Sequence, residues 1–597
     1  MVKPISLSVR DFALACPLKG SIETQSGYGA LPVTGQEVHS RYLNLRKKRI
    51  PDYQIEVKLE GSFSSGDKQI TLKGRLDGLF GQDPIAIEEV KSDFDIRSLQ
   101  SRLLADCEHP YILQVQTYGY IWYLENGVIP DMSLHLVSTR DFESIVVPVQ
   151  LHLERFESWL GRRLSAVVVE YQLYLDEKKR REQIAARLTF PFSSMRAGQK
   201  EFVESVERVV GAGSQALFQA PTGLGKTMAV LYPTIKKALS RGSQVIYVTP
   251  KNSQHQVAKQ SVERLQVQDP TLKALTLTAK SKMCLKEEVF CNPDYCQYAR
   301  DYYGKVVEHQ IVDKVAQANN LDHKRFDEYG RKYEVCPFEL SLDTINRADV
   351  VIGDYNYVFS PRNIMGRFVP RLGFSKELPD LVVDEAHNLP DRIKSYYSAQ
   401  LSIDELSDLL PAMQKIAPNF SISGRALVQD AIELIRSRNN HKDHEIDLKA
   451  DDFDKLLERS NLLCRDYLAG SLFVGRNDVM LSLLRQLQQF SDALAREKGE
   501  YATIWKKSRG GLVKVICLDA TGRLKESYRN LRSTVAFSAT LKPFDYFARL
   551  LAMEEEKLVV EEFQSPFPAY NRKLLIIPQV STRYVDREKN YAKIASA

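Results

Sequence analysis

The chain has 597 residues, 44% of them hydrophobic, and at roughly 100–200 residues per domain it has room for several cores. A net charge of +6 permits a nucleic-acid partner without requiring one. No apolar run approaches the ~18 residues of a membrane span, "MVKPISLSVRDFALACPLKG" does not read as a signal peptide, and eight cysteines in so long a chain do not suggest a disulfide scaffold. An intracellular, cytoplasmic protein in a reducing setting is expected, with clustered cysteines serving as ligands.

In chain order, "YQIEVKLEGSF", "QITLKGRLDGLF" and "PIAIEEVKS" read as three strands. Period-2 alternation in the third puts Ile85, Ile87, Glu89 and Lys91 on one face and Glu88 on the other. If the second and third strands pair, Asp77 and Glu89 share a divalent metal and Lys91 orients a water against a phosphodiester. Alone, Asp…Glu-x-Lys is more often just a charged strand face. "GQEVHSRY" adds His39 on a helix upstream, and "LQVQTYGYIW" adds Gln114 and Tyr118 on a helix downstream. Gln116 and Tyr120 offer a competing register. The order His, Asp, Glu-x-Lys, Gln…Tyr resembles the RecB-like PD-(D/E)XK nucleases. The resemblance implies Mg2+ or Mn2+ on His39, Asp77 and Glu89, with Gln114 and Tyr118 contacting DNA.

"DEKKRREQIAAR" is charged and helix-prone, and is read as the connection to a second unit. In "LFQAPTGLGKTMAVL" a buried strand leads into a glycine-rich turn and a helix. Backbone N–H groups from Gly223 through Gly225 to Thr227 wrap phosphate oxygens at the helix N-terminus. Lys226 neutralises the outer phosphates of ATP and Thr227 holds Mg2+. Further on, "LPDLVVDEAHNLP" ends a strand in Asp384 and Glu385, placed to reach Mg2+ and to polarise the attacking water. These two stretches look like motifs I and II of a superfamily 2 helicase. "VAFSATL" resembles motif III, which implies coupling through Ser538 and Thr540, with His387 of motif II. "VIYVTPKNSQ" resembles motif Ia, and "MRAGQKEF" sits where such enzymes have an adenine-reading glutamine, which implies that role for Gln199.

Between motifs Ia and II lie Cys284, Cys291, Cys296 and Cys336, spaced C-x6-C-x4-C-x39-C. By chemistry four thiolates suit Zn2+ or an Fe–S cluster, and the lack of paired C-x2-C knuckles argues against a zinc ribbon. The position of the four, the last in "CPFE", resembles the XPD/DinG family of iron–sulfur helicases. That resemblance implies a [4Fe–4S] cluster, 5′→3′ translocation on single-stranded DNA, forked-DNA substrates, a role in DNA repair or processing, and a monomer. Tyr295, Tyr298, Arg300, Tyr302, Tyr303 and Lys305 interleave aromatics and cations around the cysteines, suited to a passing strand or to a solvated helix face. Residues 398–510 carry apolar residues at three- and four-residue steps, as amphipathic helices do, where that family has its arch.

The expected fold is α/β: a RecA-like P-loop lobe with inserted Fe–S and helical arch domains, preceded by a PD-(D/E)XK domain. The expected boundaries are nuclease 1–175, charged linker 176–190, first lobe 191–275, 346–397 and 511–545, Fe–S domain 276–345, arch 398–510, and the start of a second lobe 546–597. "SPFPAYNRKLLIIP" resembles the opening of that second lobe, and no Q-x-x-G-R-x-x-R motif follows. A chain truncated within that lobe is expected, one that binds ATP weakly and hydrolyses it poorly. The alternative reading is a motor-dead DNA-binding protein, or a nuclease without helicase activity.

Overall fold

The computed structural model describes residues 5–596 except 15–19, 23–31, 83, 94–95, 139–141, 290, 292, 294, 362, 369–373, 375–376, 440–441, 450, 471–477, 495–499, 508–509, 569, 571–575, 579 and 582. Cys16 and the side chain of Cys464 lie outside the described set. Among the described residues no helix is long and apolar enough to cross a membrane.

The first sheet holds β1 (Ile5–Ser8), β2 (Gln54–Ser65), β3 (Lys68–Phe80), β4 (Ala86–Asp93), β5 (Asp131–Ser138) and β6 (Ser144–Val149). Its order is β1-β3-β4-β5-β6, with β2 on β3. β2, β3 and β4 are antiparallel neighbours, and the Pro110–Asn126 helix is the crossover to β5, which runs parallel to β4. Gly78 faces Glu88 across the β3–β4 ladder, so the next facing pair brings Asp77 towards Glu89. The Pro32–Arg49 helix covers part of the sheet through Tyr42 and Leu43.

The second sheet has eight parallel strands. These are β7 (Gln215–Gln219), β8 (Val245–Val248), β9 (Ala274–Thr276), β10 (Asn320–Leu321), β11 (Val350–Gly353), β12 (Asp380–Asp384), β17 (Thr534–Ser538) and β18 (Leu558–Glu562). Their order is β10-β9-β11-β8-β12-β17-β7-β18. Both faces are buried, as a parallel sheet requires. Leu381 and Val383 enter one core while Val382 enters the other. β18 lies within the stretch expected to open the second lobe, yet it pairs with β7 and completes this first sheet.

A third, antiparallel sheet, β13-β16-β15-β14, packs with the helices of the expected arch. Its strands are β13 (Ala399–Ser402), β14 (His444–Glu445), β15 (Tyr501–Lys506) and β16 (Leu512–Cys517). The Leu153–Arg187 helix joins the first two sheets. Phe156, Leu160 and Leu164 pack into the N-terminal core, and Ile184 and Ala185 into the core of the parallel sheet. The stretch expected as a linker is therefore the second half of one long helix. Its charges are not all solvated: Arg180 and Arg181 grip Asp349, which has no exposed side-chain surface.

Candidate functional site

The phosphate loop joins β7 to the Lys226–Leu239 helix, whose N-terminus has no side-chain cap and suits an anion. Gly225 has φ +75° and a Cβ there would lie 2.4 Å from the Gln199 amide, so the turn needs glycine. Gln199 accepts from the Arg196 N–H at 3.0 Å and donates to the Gly225 carbonyl at 3.4 Å. It braces the loop. Lys226 Nζ reaches the Pro221 carbonyl at 3.4 Å, and its charge acts on Asp384.

Asp384 ends β12, one strand away from β7, with β17 between them. Both ends open on the same edge of the sheet, where α/β folds bind ligands. The Tyr247 hydroxyl donates to Asp384 at 2.7 Å and also contacts Thr227, tying the two candidate Mg2+ ligands together. Burial pushes the Asp384 carboxyl up to about 6, and the Tyr247 bond opposes that rise. Tyr355 caps the turn by donating to the carbonyls of Asp384 and Glu385. Glu385 stands in the left-handed region at φ +51°. Its carboxylate accepts from Ser538 at 2.8 Å, and His387 Nδ1 meets the same Ser538 hydroxyl at 2.7 Å. Thr540, through its backbone N–H, reaches Ser538 at 3.5 Å. Gln254 of the motif Ia stretch contacts Glu385 at 3.4 Å.

A second constellation lies on the first sheet. Asp77 accepts from the Val90 N–H at 2.7 Å and meets His39 Nε2 at 3.0 Å. Lys91 Nζ donates to Glu89 at 2.8 Å and to Gln114 at 2.9 Å, and the Gln114 amide donates to Glu89 at 2.6 Å. Tyr118 donates to the Arg75 carbonyl at 3.1 Å. Gln116 and Tyr120 instead bond Gln150 and Glu157, away from Glu89 and Lys91. The other Glu89 oxygen, Oε2, is buried without a hydrogen-bond partner. Burial pushes this carboxyl up to about 7, opposed by Lys91 and reinforced by Asp77. An orphaned buried carboxylate oxygen beside a second carboxylate and an imidazole suits a divalent cation.

The four cysteines Cys284, Cys291, Cys296 and Cys336 are free thiols. They are close enough to raise one another's pKa: Cys291 and Cys296 act on Cys284, and Cys291 acts on Cys296 and Cys336. Burial is the larger cause throughout and pushes Cys336 up to about 12. Lys280 lies among them, hydrogen-bonded to Cys291. Neighbouring cysteines of this kind are ligands that a metal binds as thiolates, displacing their protons. Among the described residues, however, no three His, Cys, Asp or Glu side chains close into a finished metal-ligand set. In the N-terminal site, hydrogen bonds to Asp77 and to Glu89 Oε1 take up those acceptors instead.

Of the aromatics expected to stack bases, Tyr302 is a correction. It is fully buried and donates to Asp343 at 2.9 Å, so it belongs to the core. Tyr295, Tyr298 and Tyr303 are half-buried against the same core. Sequence reasoning missed Tyr247 and Tyr355, which look like ordinary core aromatics. Their one signal is a hydroxyl beside an apolar strand end.

Residues 236–406 match the DEAD_2 family model. A "Regulator of telomere elongation helicase 1 homolog" of Caenorhabditis briggsae is 21% identical over 273 residues, covering 38% of this chain and 27% of that protein. The "General transcription and DNA repair factor IIH helicase subunit XPD" of Arabidopsis thaliana is 24% identical over 242 residues, 34% of this chain and 30% of that one. The matches thus span less than a third of these relatives' own length. A solved structure described as "XPD_Helicase" is 16% identical at a TM-score of 0.42, covering 62% of this chain and 63% of that one.

Proposed function

We propose that this chain is an ATP-dependent DNA helicase motor of the XPD type, moving 5′→3′ on single-stranded DNA, with a metal-dependent PD-(D/E)XK nuclease in its first 175 residues. The observation that carries the motor reading is the joining of phosphate loop, acid pair and Ser538 at one sheet edge, flanking and overlapping the DEAD_2 match.

The uncapped N-terminus at Gly225 and the Lys226 ammonium hold the phosphates. Thr227 and Asp384 would hold Mg2+, which when bound offsets the phosphate charge. Glu385 orients the attacking water. Ser538 and His387 share a hydrogen-bonded triangle with Glu385, so a shift of this triangle is felt at the water. Cys284, Cys291, Cys296 and Cys336 would hold a [4Fe–4S] cluster, a covalent staple for the segment that precedes motif II. Arg300 and Lys305 of this segment would offer cations to a passing strand.

For the nuclease, His39, Asp77 and Glu89 would hold Mg2+ or Mn2+, which polarises the scissile phosphate. Lys91, pinned by Gln114 and by one Glu89 oxygen, orients the attacking water. The test is cleavage of labelled single-stranded and forked DNA with Mn2+ or Mg2+. Metal-dependent nicking that disappears in Asp77→Ala supports the reading. Nicking unchanged by that substitution leaves a domain that only grips DNA. For the motor, a fluorescent ATP analogue with Mg2+ should bind the chain and bind Lys226→Ala about 10- to 100-fold more weakly, the worth of one charged hydrogen bond.

A further inference from the structure

Glu88 sits beside Glu89 on β4 but faces the other side of the sheet, and it is 3% exposed. A buried carboxylate is costly unless every lone pair is met. Here they are met. The Arg46 guanidinium grips both oxygens, with Nε to Oε2 at 3.0 Å, and Tyr53 donates to Oε2 at 2.9 Å. His135 Nε2 stands 3.4 Å from Oε1. His135 in turn bonds the Tyr42 hydroxyl at 2.8 Å and Ser133 at 3.1 Å. None of these groups touches the presumed reacting atoms, and no step above uses them.

The network has one outlet. Tyr42 and Arg46 lie on the Pro32–Arg49 helix together with His39, at spacings of three and seven residues, which share one helical face. That helix is poor in apolar anchors. Its described contacts with the sheet core run through Val38, Tyr42, Leu43 and the following Ile50. Apolar packing alone tolerates sliding. A bidentate ion pair and a tyrosine–histidine bond do not, because each fixes a position along the helix axis. His39 reaches Asp77 at 3.0 Å in that position.

We infer that Glu88 is a positioning residue: through Arg46, and through His135 and Tyr42, it seats the helix so that His39 completes the metal site on the opposite face of the same strand. This rests on the proposed N-terminal metal site. The helix and β4 thus form a clamp in which neighbouring glutamates divide the work. Glu89 faces the cation, and Glu88 holds the element that brings the third ligand.

The test is Mn2+ binding to the full chain without DNA, by titration calorimetry, for the wild type, Glu88→Gln, His39→Ala, their double variant and Glu89→Gln. Loss of an outer partner of a metal ligand weakens metal binding about 10- to 100-fold. That loss is expected for Glu88→Gln, with no further loss when it is added to His39→Ala. Tyr42→Phe, which keeps the ring and drops the hydroxyl, tests the same link if Glu88→Gln does not fold, and it should weaken Mn2+ only when His39 is present. Unchanged Mn2+ affinity in the folded Glu88→Gln and Tyr42→Phe variants overturns the inference. So does an equal loss with and without His39. Glu89→Gln keeps the two readings apart. If it leaves Mn2+ binding intact, the metal site itself is wrong. If it removes binding while Glu88→Gln does not alter it, only the positioning role falls.

Discussion

Gln114 and Glu89 together hold the Lys91 ammonium beside the candidate metal site. The Gln114 amide closes a triangle with Glu89 and Lys91, so Gln114→Leu keeps the volume and leaves the ammonium held by Glu89 alone. Cleavage turnover should fall about 10- to 100-fold while DNA affinity changes little, read as a split between kcat and KM. Asp380 offers a pH signature away from both sites. Burial pushes its carboxyl up to about 6 from 3.8, against the pull of Arg241 and Ser533. Burial lowers Arg241 as well, so desolvation leads at both ends of this pair. A carboxyl raised on folding contributes stability that is full below about pH 3.8 and lost as pH rises through about 6. Asp380→Asn should flatten the fall in melting temperature between pH 4 and 7. An unchanged slope would assign the fall to other groups. The glycines, lysine and acid pair of the parallel sheet were legible because phosphate chemistry demands those types at those spacings. Tyr247, Tyr355 and Glu88 were not, because a buried tyrosine or a charged strand residue is usually a core or surface residue, and only the neighbours say otherwise.

The Leu153–Arg187 helix ties the first two sheets together. Asp349 receives both Arg180 and Arg181, and its other oxygen also accepts from the Lys273 N–H at 2.8 Å. Removing one partner of a buried pair strands the others, at about 3–5 kcal/mol. Asp349→Ala should therefore lower the melting transition of the parallel-sheet unit and expose residues 176–187 to limited proteolysis. Protection equal to wild type would mean that Ile184 and Ala185 suffice to hold the helix. In the sequence, "DEKKRREQIAAR" advertised charge but not its destination. The partner aspartate is 168 residues from Arg181, beyond the reach of any local pattern. The third sheet was hidden for a similar reason: its strands have two to six residues and are paired across the helices between them. The leucine periodicity of the helices was the louder signal.

Across the whole molecule, the two constellations sit on separate sheets joined by a continuous helix, and a second connection runs through residues 20–22. Ile22 N–H donates to the Ala299 carbonyl at 2.9 Å, Tyr303 N–H to the Gly20 carbonyl at 3.0 Å, and Asp301 N–H to the Ser21 hydroxyl at 2.9 Å. Part of the N-terminal region is thereby laid against the cysteine-bearing segment, and Ile22 enters the same core as Cys291 and Cys296. The sites share no described side chain, so Glu89→Gln should end metal-dependent cleavage and leave nucleotide binding within about twofold, and Lys226→Ala should do the reverse. Loss of both activities in either variant would point to one composite site. The measurement that bears most directly on the account is Mg2+-dependent ATP hydrolysis with and without single-stranded DNA, for the chain beside Lys226→Ala. The account predicts turnover that rises with DNA and vanishes in the variant, whatever its absolute rate. Turnover that ignores DNA, or that survives the loss of Lys226, would contradict it.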